Sequence, residues 1–449
     1  MALRKTPTSP DADLFRQELV NLINLRPPLV QLAQKVDWDA CEAHFDGLYA
    51  TGIGRPSHPI RLMVGLQLLK HTSNLSDEEV VAVWVENPYW QYFRHDAPID
   101  PSLMTGFRKR IGETGCEFIL GLTVTAGLAT GTVAKTSLAV VNVDTTVQDK
   151  AVAFPTDARL LHKARVALVR RARKSGIGLR QSYERVGQAA FVRAQRYAHA
   201  RQMNRAKAQT RKLRTYLGRV IRDIERKTQG HCPQQERFNR LLEIASRIHS
   251  QPRKRSEGDP PKLYSVHAPE VECIAKGKAH KKYEFGVKVG IVSTSKESFV
   301  IGAKSLPGNT YDGHTLQACL EQAGRVSGIE PKEAYTDRGY RGHGCTTANL
   351  KVWIAGARRG VTAAIHRKLK RSNAVEPVIG HMKSDGRLAR NFLKGVEGDA
   401  INALLCGVGH NLRKILRKLR LLCAQWGIPM RYLLSVLQAR DAAIALHLA

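Results

Sequence analysis

The chain has 449 residues, and 71 Lys and Arg against 39 Asp and Glu give it a formal net charge of +32. Its length allows two to four domains, and a hydrophobic fraction of 43% is ordinary for a globular protein. A charge this positive makes the chain repel itself unless a polyanion is near, so nucleic acid is the first partner to consider and an anionic membrane the second.

The sequence lacks the usual signals of membrane-spanning and of secreted proteins. No apolar stretch approaches the roughly 20 residues that a membrane helix needs. The first residues, MALRKTPTSPDADLF, have no apolar core of the kind that a signal peptide carries. The eight cysteines are scattered without a C-x-x-C pair, which argues against a zinc knuckle or a disulfide scaffold. We therefore expect a soluble protein of a reducing compartment.

Two helices are predicted between residues 59 and 87. Pro59 opens the first helix, along one side of which apolar residues recur: Leu62, Leu66 and Leu69. Ser76 and Glu79 form a capping box at the start of the second helix, which turns three apolar residues inward: Val80, Val83 and Trp84. The pair Asn87-Pro88 ends this second helix.

A third helix is predicted to start after Pro101 and to run through SLMTGFRKRIGE, where it carries three consecutive cations: Arg108, Lys109 and Arg110. Several short helices with a basic third helix are compatible with a helix-turn-helix-like DNA reader, in which these cations would contact DNA. A plain helical domain has the same pattern, so that alternative stays open. We assign residues 1–130 to a helical N-terminal domain.

The first strand signal is SLAVVNVDTTVQ, in which polar and apolar residues alternate. The alternation predicts that Val141, Val143, Thr145 and Val147 point one way, and that Asn142, Asp144 and Thr146 point the other. Asp144 is therefore a carboxylate set into a strand that the neighbouring residues predict to be buried.

A strongly basic stretch follows this strand. From Arg159 to Thr228 the chain holds 21 Lys and Arg and only three acids, in a composition that favours helix. Apolar residues recur in it at helical intervals and leave wide basic faces: Tyr197, Met203, Leu213, Leu217, Val220, Ile221 and Ile224. A solvated helical hairpin is one interpretation, and an arm that lies along DNA phosphates is the other, which the density of like charge favours. We assign residues 159–257 to this basic helical insertion.

Further strands and helices alternate after the insertion. The strand signals are KKYEFGVKVGIVS, SFVIGAKSLPGN, KEAYTD and KVWIAG, and the helical stretches are DGHTLQACLEQAGRVSG and one that begins near NAVEPVIGHMKSDGRL. This order predicts an α/β domain, a mixed sheet flanked by helices, formed by residues 131–158 and 258–400. Residues 401–449 form a C-terminal helical segment, in which His410 and Asn411 are expected to pack rather than to catalyse.

Three acids can meet at one edge of this sheet. Asp144 lies on the first strand, Asp337 ends a later strand, and Glu376 begins the helix that follows. A lone Asp at a strand end is usually a turn former. Three converging carboxylates, however, would repel one another, whereas a pair of Mg²⁺ or Mn²⁺ ions removes that conflict. Two such ions about 4 Å apart can clamp the attacking and leaving oxygens of a phosphodiester displacement.

These residues lie in a set of segments that resembles one known family nearly end to end. The segments are GRPSHPIRLMVGLQLLK, NLSDEEVVAVWVENPYWQYF, VDTTVQDKAVAFPTDARLLHK, KAHKKYEFGVKVGIV, PGNTYDGHTL, YTDRGYRGH and RSNAVEPVIGHMK. The chain resembles the DDE transposases of bacterial insertion sequences, of the IS-five type with a helical N-terminal domain. The resemblance implies an RNase H-like catalytic domain with Asp144, Asp337 and Glu376 as its triad. It also places Lys383 in the site, and the spacing of seven residues puts Lys383 on the same helical face as Glu376.

The chain departs from the family at one motif. The related sequences usually carry Arg four residues before the Glu, and often Tyr three residues before that Arg, where this chain has Ser372 and Leu369. Lys370 and Arg371, with Arg367 nearby, are substitute cations, and we expect Lys370, Arg371 and Lys383 to bind DNA. Tyr311, Asp312 and His314 are weaker candidates, because Asp312 could simply cap the helix that it begins.

The resemblance implies an enzyme that cuts the ends of its insertion sequence and joins the 3′-OH to target DNA. The expected partners are double-stranded DNA, as element ends and as target, and a second copy of the chain, because two ends are cut together. The expected place is the bacterial cytoplasm, at the nucleoid, with no membrane partner. Two alternatives stay open: a metal-dependent nuclease without strand transfer, and a non-catalytic DNA-binding repressor.

Overall fold

The computed structural model describes residues 3–4, 19–50, 55–93, 98–228, 236–252, 258–275, 282–347, 349–356 and 361–447. The chain divides into two compact units. The core unit comprises Met1–Gln148, Lys288–Asn391 and Glu397–Ala449. The insertion unit comprises Asp149–Val287 and Phe392–Val396.

The elements before the main sheet are mostly short helices. In chain order they are β1 Leu3–Arg4, α1 Leu19–Leu22, α2 Pro28–Lys35, α3 Trp38–Asp46, β2 Arg55–Pro56, α4 Ile60–Ser73, α5 Asp77–Glu86, α6 Pro88–Gln91 and α7 Ser102–Ala129. The helices α4, α5 and α7 are those predicted from the sequence. A positive φ of 61° at Gly112 kinks α7 near the point where the predicted third helix ends, and the helix then continues to Ala129.

The helix α4 is buried on every side rather than along one face. Its buried residues include the polar Gln67 and Lys70 as well as the leucines, because other helices surround it. The predicted capping box of α5 is present, with hydrogen bonds of 3.1 and 2.7 Å between Ser76 and Glu79. On α5 the inward residue beside Val80 and Trp84 is Val81, not Val83 as the sequence predicted.

The other elements complete the sheet and its helices. In chain order they are β3 Val140–Asp149, α8 Asp157–Lys174, α9 Glu184–His199, α10 Met203–Thr228, α11 Glu236–Ser250, β4 Glu272–Ala275, β5 Tyr283–Thr294, β6 Val300–Leu306, α12 Asp312–Ser327, β7 Glu333–Thr336, β8 Lys351–Ile354, α13 Ala363–Ser372, α14 Val375–Ser384 and α15 Gly395–His447. No helix within the described ranges combines the length and apolar character that a membrane crossing requires.

The core unit is built on a mixed α/β arrangement. Its strands lie in the order β6-β5-β3-β7-β8, in which β3, β7 and β8 are parallel and β6 is antiparallel to β5. In the insertion unit, β4 pairs antiparallel with the first residues of β5. Helices cover the sheet, because α12 packs against β6 and α13 against β7. Two polar residues predicted for the outer face of β3 are consequently buried, since Asn142 and Thr146 are only 1% and 3% exposed. The alternation predicted for this strand therefore does not separate a buried face from a solvated one.

The insertion unit has a hydrophobic core of its own. Helix α10 packs against α8 and α9, and α11 packs against α8 and α10. The core is formed by apolar residues of all four helices, among them Leu168, Ala190, Leu217 and Phe238. The basic stretch is therefore part of a four-helix arrangement rather than a hairpin. Most of its cations are left on the outer faces, whereas Arg165 is buried.

A buried ion cluster joins three helices of the core unit. Asp77 accepts hydrogen bonds from both terminal nitrogens of Arg108, at 2.8 and 2.6 Å, and from Lys70 Nζ at 2.5 Å. Burial alone would raise the pKa of Asp77, but Arg108 and Lys70 outweigh it and lower this pKa to about 2. Burial, reinforced by Arg108, lowers the pKa of Lys70 to about 8. One carboxylate thus neutralises two buried cations.

We expect the substitution Asp77→Asn to destabilise the protein by about 3 kcal/mol, because it leaves two buried cations without a counter-charge. Urea unfolding followed by circular dichroism measures this change. The matched control is Asp39→Asn on the exposed surface of α3, where the change should stay within about 0.5 kcal/mol. Equal stability of the two variants would contradict a structural role for the cluster.

The residues His410 and Asn411 of α15 fasten this helix to the strand β6 and to the loop before it. Asn411 accepts a hydrogen bond from Val300 N at 2.9 Å and donates to Val300 O at 2.7 Å. His410 Nε2 donates to the carbonyl oxygen of Ser298 at 3.1 Å, which places the ring proton on Nε2. The prediction that these two residues pack is therefore confirmed. Burial lowers the pKa of His410 to about 4.

We expect His410 to make the protein acid-sensitive. Between its ordinary pKa of 6.5 and the folded-state pKa of about 4, only the unfolded chain takes up this proton, so stability falls as the pH falls through that window. The loss should amount to ~3 kcal/mol at most. Urea unfolding at pH 7.5, 6, 5 and 4 should show a shallower pH dependence for His410→Gln, whereas the exposed His366→Gln control should keep the native profile. An unchanged profile in His410→Gln would contradict the assignment.

Candidate active site

Two of the predicted acids lie side by side in the core unit. The parallel register pairs Val143 of β3 with Thr336 of β7, so Asp144 and Asp337 are the next residues on adjacent strands. Residues at the same level of neighbouring parallel strands point to the same face of the sheet. The structure therefore brings these two carboxylates to one edge, and both are accessible to solvent.

Backbone amides hold both carboxylates. Asp337 Oδ1 accepts a hydrogen bond from Gly339 N at 2.9 Å and thereby caps the short 3₁₀ turn Arg338–Tyr340. Asp144 Oδ1 accepts from Thr145 N at 2.7 Å. Since each of these bonds is made to a neighbouring residue, the local backbone fixes the direction of each side chain.

A third carboxylate, that of Asp312, lies at the same edge. Its Oδ1 accepts from Thr145 Oγ1 at 3.0 Å and from Lys288 Nζ at 2.9 Å. A Cβ at Gly339 would lie 3.4 Å from Asp312 Oδ2 and 3.1 Å from Asp337 Oδ1, so the two acids flank this glycine closely. The side chain of Asp312 does not cap α12, so the capping alternative for this residue is wrong. Its sequence signal, an acid at a helix start, is too common to distinguish it from a cap.

The phenol of Tyr340 lies among these acids. It is fully buried, and its hydroxyl has no hydrogen-bond partner within the described part of the chain. Burial, followed by the charges of Cys319, Asp144, Asp312 and Asp337, raises the pKa of Tyr340 well above its usual value. The hydroxyl therefore stays protonated, and the three carboxylates are close enough to influence it.

Glu376 and Lys383, the other two predicted site residues, lie on α14. Glu376 is exposed in the first turn of α14, and Lys383 is half-buried in the last turn. Across the described ranges, no three or more His, Cys, Asp or Glu side chains are grouped so that they could hold a metal ion. The structure thus brings together Asp144 and Asp337, and the part of Glu376 as their third ligand stays a prediction.

The departure from the family motif falls on buried positions. Leu369 and Ser372 of α13 are 8% and 7% exposed, so neither side chain is presented to a ligand. Arg371 Nε donates to Ser295 O at 2.7 Å, and its terminal nitrogen donates to Lys296 O. Arg371, predicted to bind DNA, therefore ties α13 to the turn between β5 and β6, while the adjacent Lys370 is exposed.

The three consecutive cations of α7 have different surroundings. Arg108 is 3% exposed and is bound to Asp77, which gives it a structural role in place of the predicted contact with DNA. Arg110 is half-buried, with its guanidinium 5.0 Å from the centre of the Tyr49 ring. Lys109 is exposed and is the one of the three best placed to reach a ligand.

Comparisons with known proteins bear on the same N-terminal helices. Residues 17–110 match the family described as "Transposase domain (DUF772)". A protein of Rhizobium meliloti, named "Uncharacterized protein ORF8 in nfe locus", is 55% identical over 202 residues, which cover 44% of this chain and 97% of that protein. Residues 17–110 therefore belong to a transposase domain family. No solved structure matches the chain.

The neighbouring residues Arg371 and Lys370 of α13 allow a matched test of which of them the fold needs. We expect Arg371→Gln to lower the free energy of unfolding by about 1–2 kcal/mol, because it removes charged hydrogen bonds to two carbonyls. The equally exposed Lys370→Gln should change stability by less than about 0.5 kcal/mol. Urea unfolding measures both. If Arg371→Gln kept native stability but bound DNA more weakly, Arg371 would be a DNA-binding residue rather than a structural one.

Proposed function

We propose that the chain is a DNA transposase with an RNase H-like catalytic domain. The strand order β6-β5-β3-β7-β8, with parallel β3, β7 and β8, supports this fold. The transposase domain at residues 17–110 and the net charge of +32 support DNA as the substrate. The observation that carries the proposal is the register of β3 with β7, which brings Asp144 and Asp337 to the same level.

The donor set at this edge fits a hard divalent cation. Carboxylate oxygens are the ligands that Mg²⁺ and Mn²⁺ prefer, and two such groups lie on neighbouring strands. Asp144 and Asp337 would hold a pair of these ions, and Glu376 would be the third ligand by the family resemblance. When bound, the ions would lower the pKa of an attacking hydroxyl and stabilise the leaving oxygen of a phosphodiester.

The chain's own side chains would position the DNA. Lys383 shares a helical face with Glu376, so its ammonium would contact a phosphate beside the carboxylates. The exposed Lys370 and Lys109, with Arg110, would hold phosphates farther along the duplex. The 3′-OH freed at an element end would then attack target DNA, and a homodimer would bring two ends together. This activity belongs in the bacterial cytoplasm, at the nucleoid.

The direct test uses Asp337→Asn. A duplex selected for binding from a random pool is end-labelled and incubated with Mg²⁺ and target DNA. We expect Asp337→Asn to cut at least roughly 100-fold more slowly, since several kcal/mol of charge stabilisation are lost. The surface control Asp39→Asn should cut and join as the native protein does.

Other results of this assay would indicate other functions. If Asp337→Asn cut DNA as fast as the native protein, the carboxylate site would not be the catalytic site. Cleavage without a joined product would indicate a nuclease, and DNA binding without any cleavage would indicate a repressor.

The part played by Glu376 has a separate test. Calorimetric titration with Mn²⁺ should show weaker binding to Asp144→Asn and to Asp337→Asn than to the native protein. If Glu376 completes the ligand set, Glu376→Gln should weaken binding to a similar degree. Native affinity in Glu376→Gln would exclude this residue from the metal site, with Asp144 and Asp337 as the remaining ligands.

A further inference from the structure

A groove in the insertion unit lies outside the carboxylate site. It has a cavity of about 1340 Å³ between the start of α8, the end of α9 and the first half of α10. Small apolar side chains line much of it, among them Ala158, Ala194, Ala198 and Ala206. Met203, which the sequence placed on an apolar face, is 53% exposed at its edge.

The rim of this groove is cationic. Lys207, Arg211 and Arg214 lie four and then three residues apart along α10, so they form a row on one face with about one cation per turn. Arg196 adds a cation from α9. The lining contains a single acid, Asp157.

These four cations have no acidic partner among the described residues, whereas a few cations elsewhere in the unit do. Elsewhere in the unit, Asp223 pairs with Arg226 at 3.5 Å and with Lys227 at 3.3 Å, and Arg173 pairs with Glu184 at 2.9 Å. Within the described residues, none of the groove cations forms such an ion pair. Their mutual repulsion is therefore left for an external anion to relieve.

We propose that this groove binds the sugar–phosphate backbone of duplex DNA. A row of cations spaced by helical turns suits a polyanion with regularly repeated charges, and the alanine-rich floor leaves room for the deoxyriboses. The lining has no Phe, Tyr or Trp side chain on which an unpaired base could stack. The contact is therefore independent of sequence. This inference rests on the proposed function for its partner and deepens it by giving the DNA a second place to bind.

The test compares two double substitutions in the full-length protein. Lys207→Gln/Arg211→Gln removes two exposed cations of the groove, four residues apart on α10. The matched control, Arg170→Gln/Lys174→Gln, removes two exposed cations with the same spacing on α8, about 20 Å along that helix from Asp157. Fluorescence anisotropy with a labelled 30-bp duplex, a length of about three helical turns, is measured in EDTA over a range of salt concentrations. Circular dichroism checks that both variants are folded.

We expect the groove variant to bind at least roughly tenfold more weakly at 0.1 M salt, with a salt dependence shallower by about two ions, for every duplex sequence tried. The control should keep the native slope. Native binding by the groove variant, or an equal loss in the control, would overturn the proposal. Poly-glutamate that binds the native groove as tightly as DNA does would also overturn it, since the occupant would then be an acidic protein.

The test separates this inference from the proposed function. Because EDTA removes divalent ions, binding is measured apart from cleavage. Native DNA binding by the groove variant with active cleavage would reject the groove alone. Weakened binding by that variant, together with full cleavage by Asp337→Asn, would reject the carboxylate site and support the groove.

Discussion

The parallel pairing of β3 with β7 is the constraint on which the candidate active site depends. Its register brings Asp144 and Asp337 to the same level, although 192 intervening residues separate them. A slip of one residue would turn one of the carboxylates to the other face of the sheet. The register is well specified, because both strands carry side chains that are buried between the sheet and its helices. The packing of the core unit thus sets the geometry of its chemistry.

The excess of positive charge is handled differently in different parts of the molecule. In the core unit, Asp77 neutralises two buried cations, and Asp312 binds Lys288 beside the strand ends. These acids stabilise the fold, because each holds a neighbouring cation in place. In the insertion unit the helices pack through apolar residues, and the row of cations on α10 is left at the surface. Charge that the fold does not neutralise is available for a polyanionic partner.

Local signals predicted the elements better than they predicted the roles of individual side chains. The capping box at Ser76 and the strand patterns correctly located α5 and the strands of the sheet. Arg108 was predicted to bind DNA as one of three consecutive cations, and Arg371 as a substitute for the Arg of the family motif. Arg108 is instead bound to a buried acid, and Arg371 to backbone carbonyls. Asp312 was rated a weaker site candidate because an acid at the start of a helix usually caps it, whereas its partners are Thr145 and Lys288. A residue's partner lies far away in sequence, so its own neighbours cannot reveal it.

The sequence by itself determined the positions of most helices and strands, the basic character of the chain, and the placing of one acid within a strand and another at the end of a later strand. These properties follow from capping, periodicity and composition, which act over a few residues. Only the tertiary structure decided that Asp144, Asp312 and Asp337 share an edge, and which cations are neutralised within the chain. Those outcomes depend on strand register and on long-range ion pairing, and both are fixed only when the whole core packs.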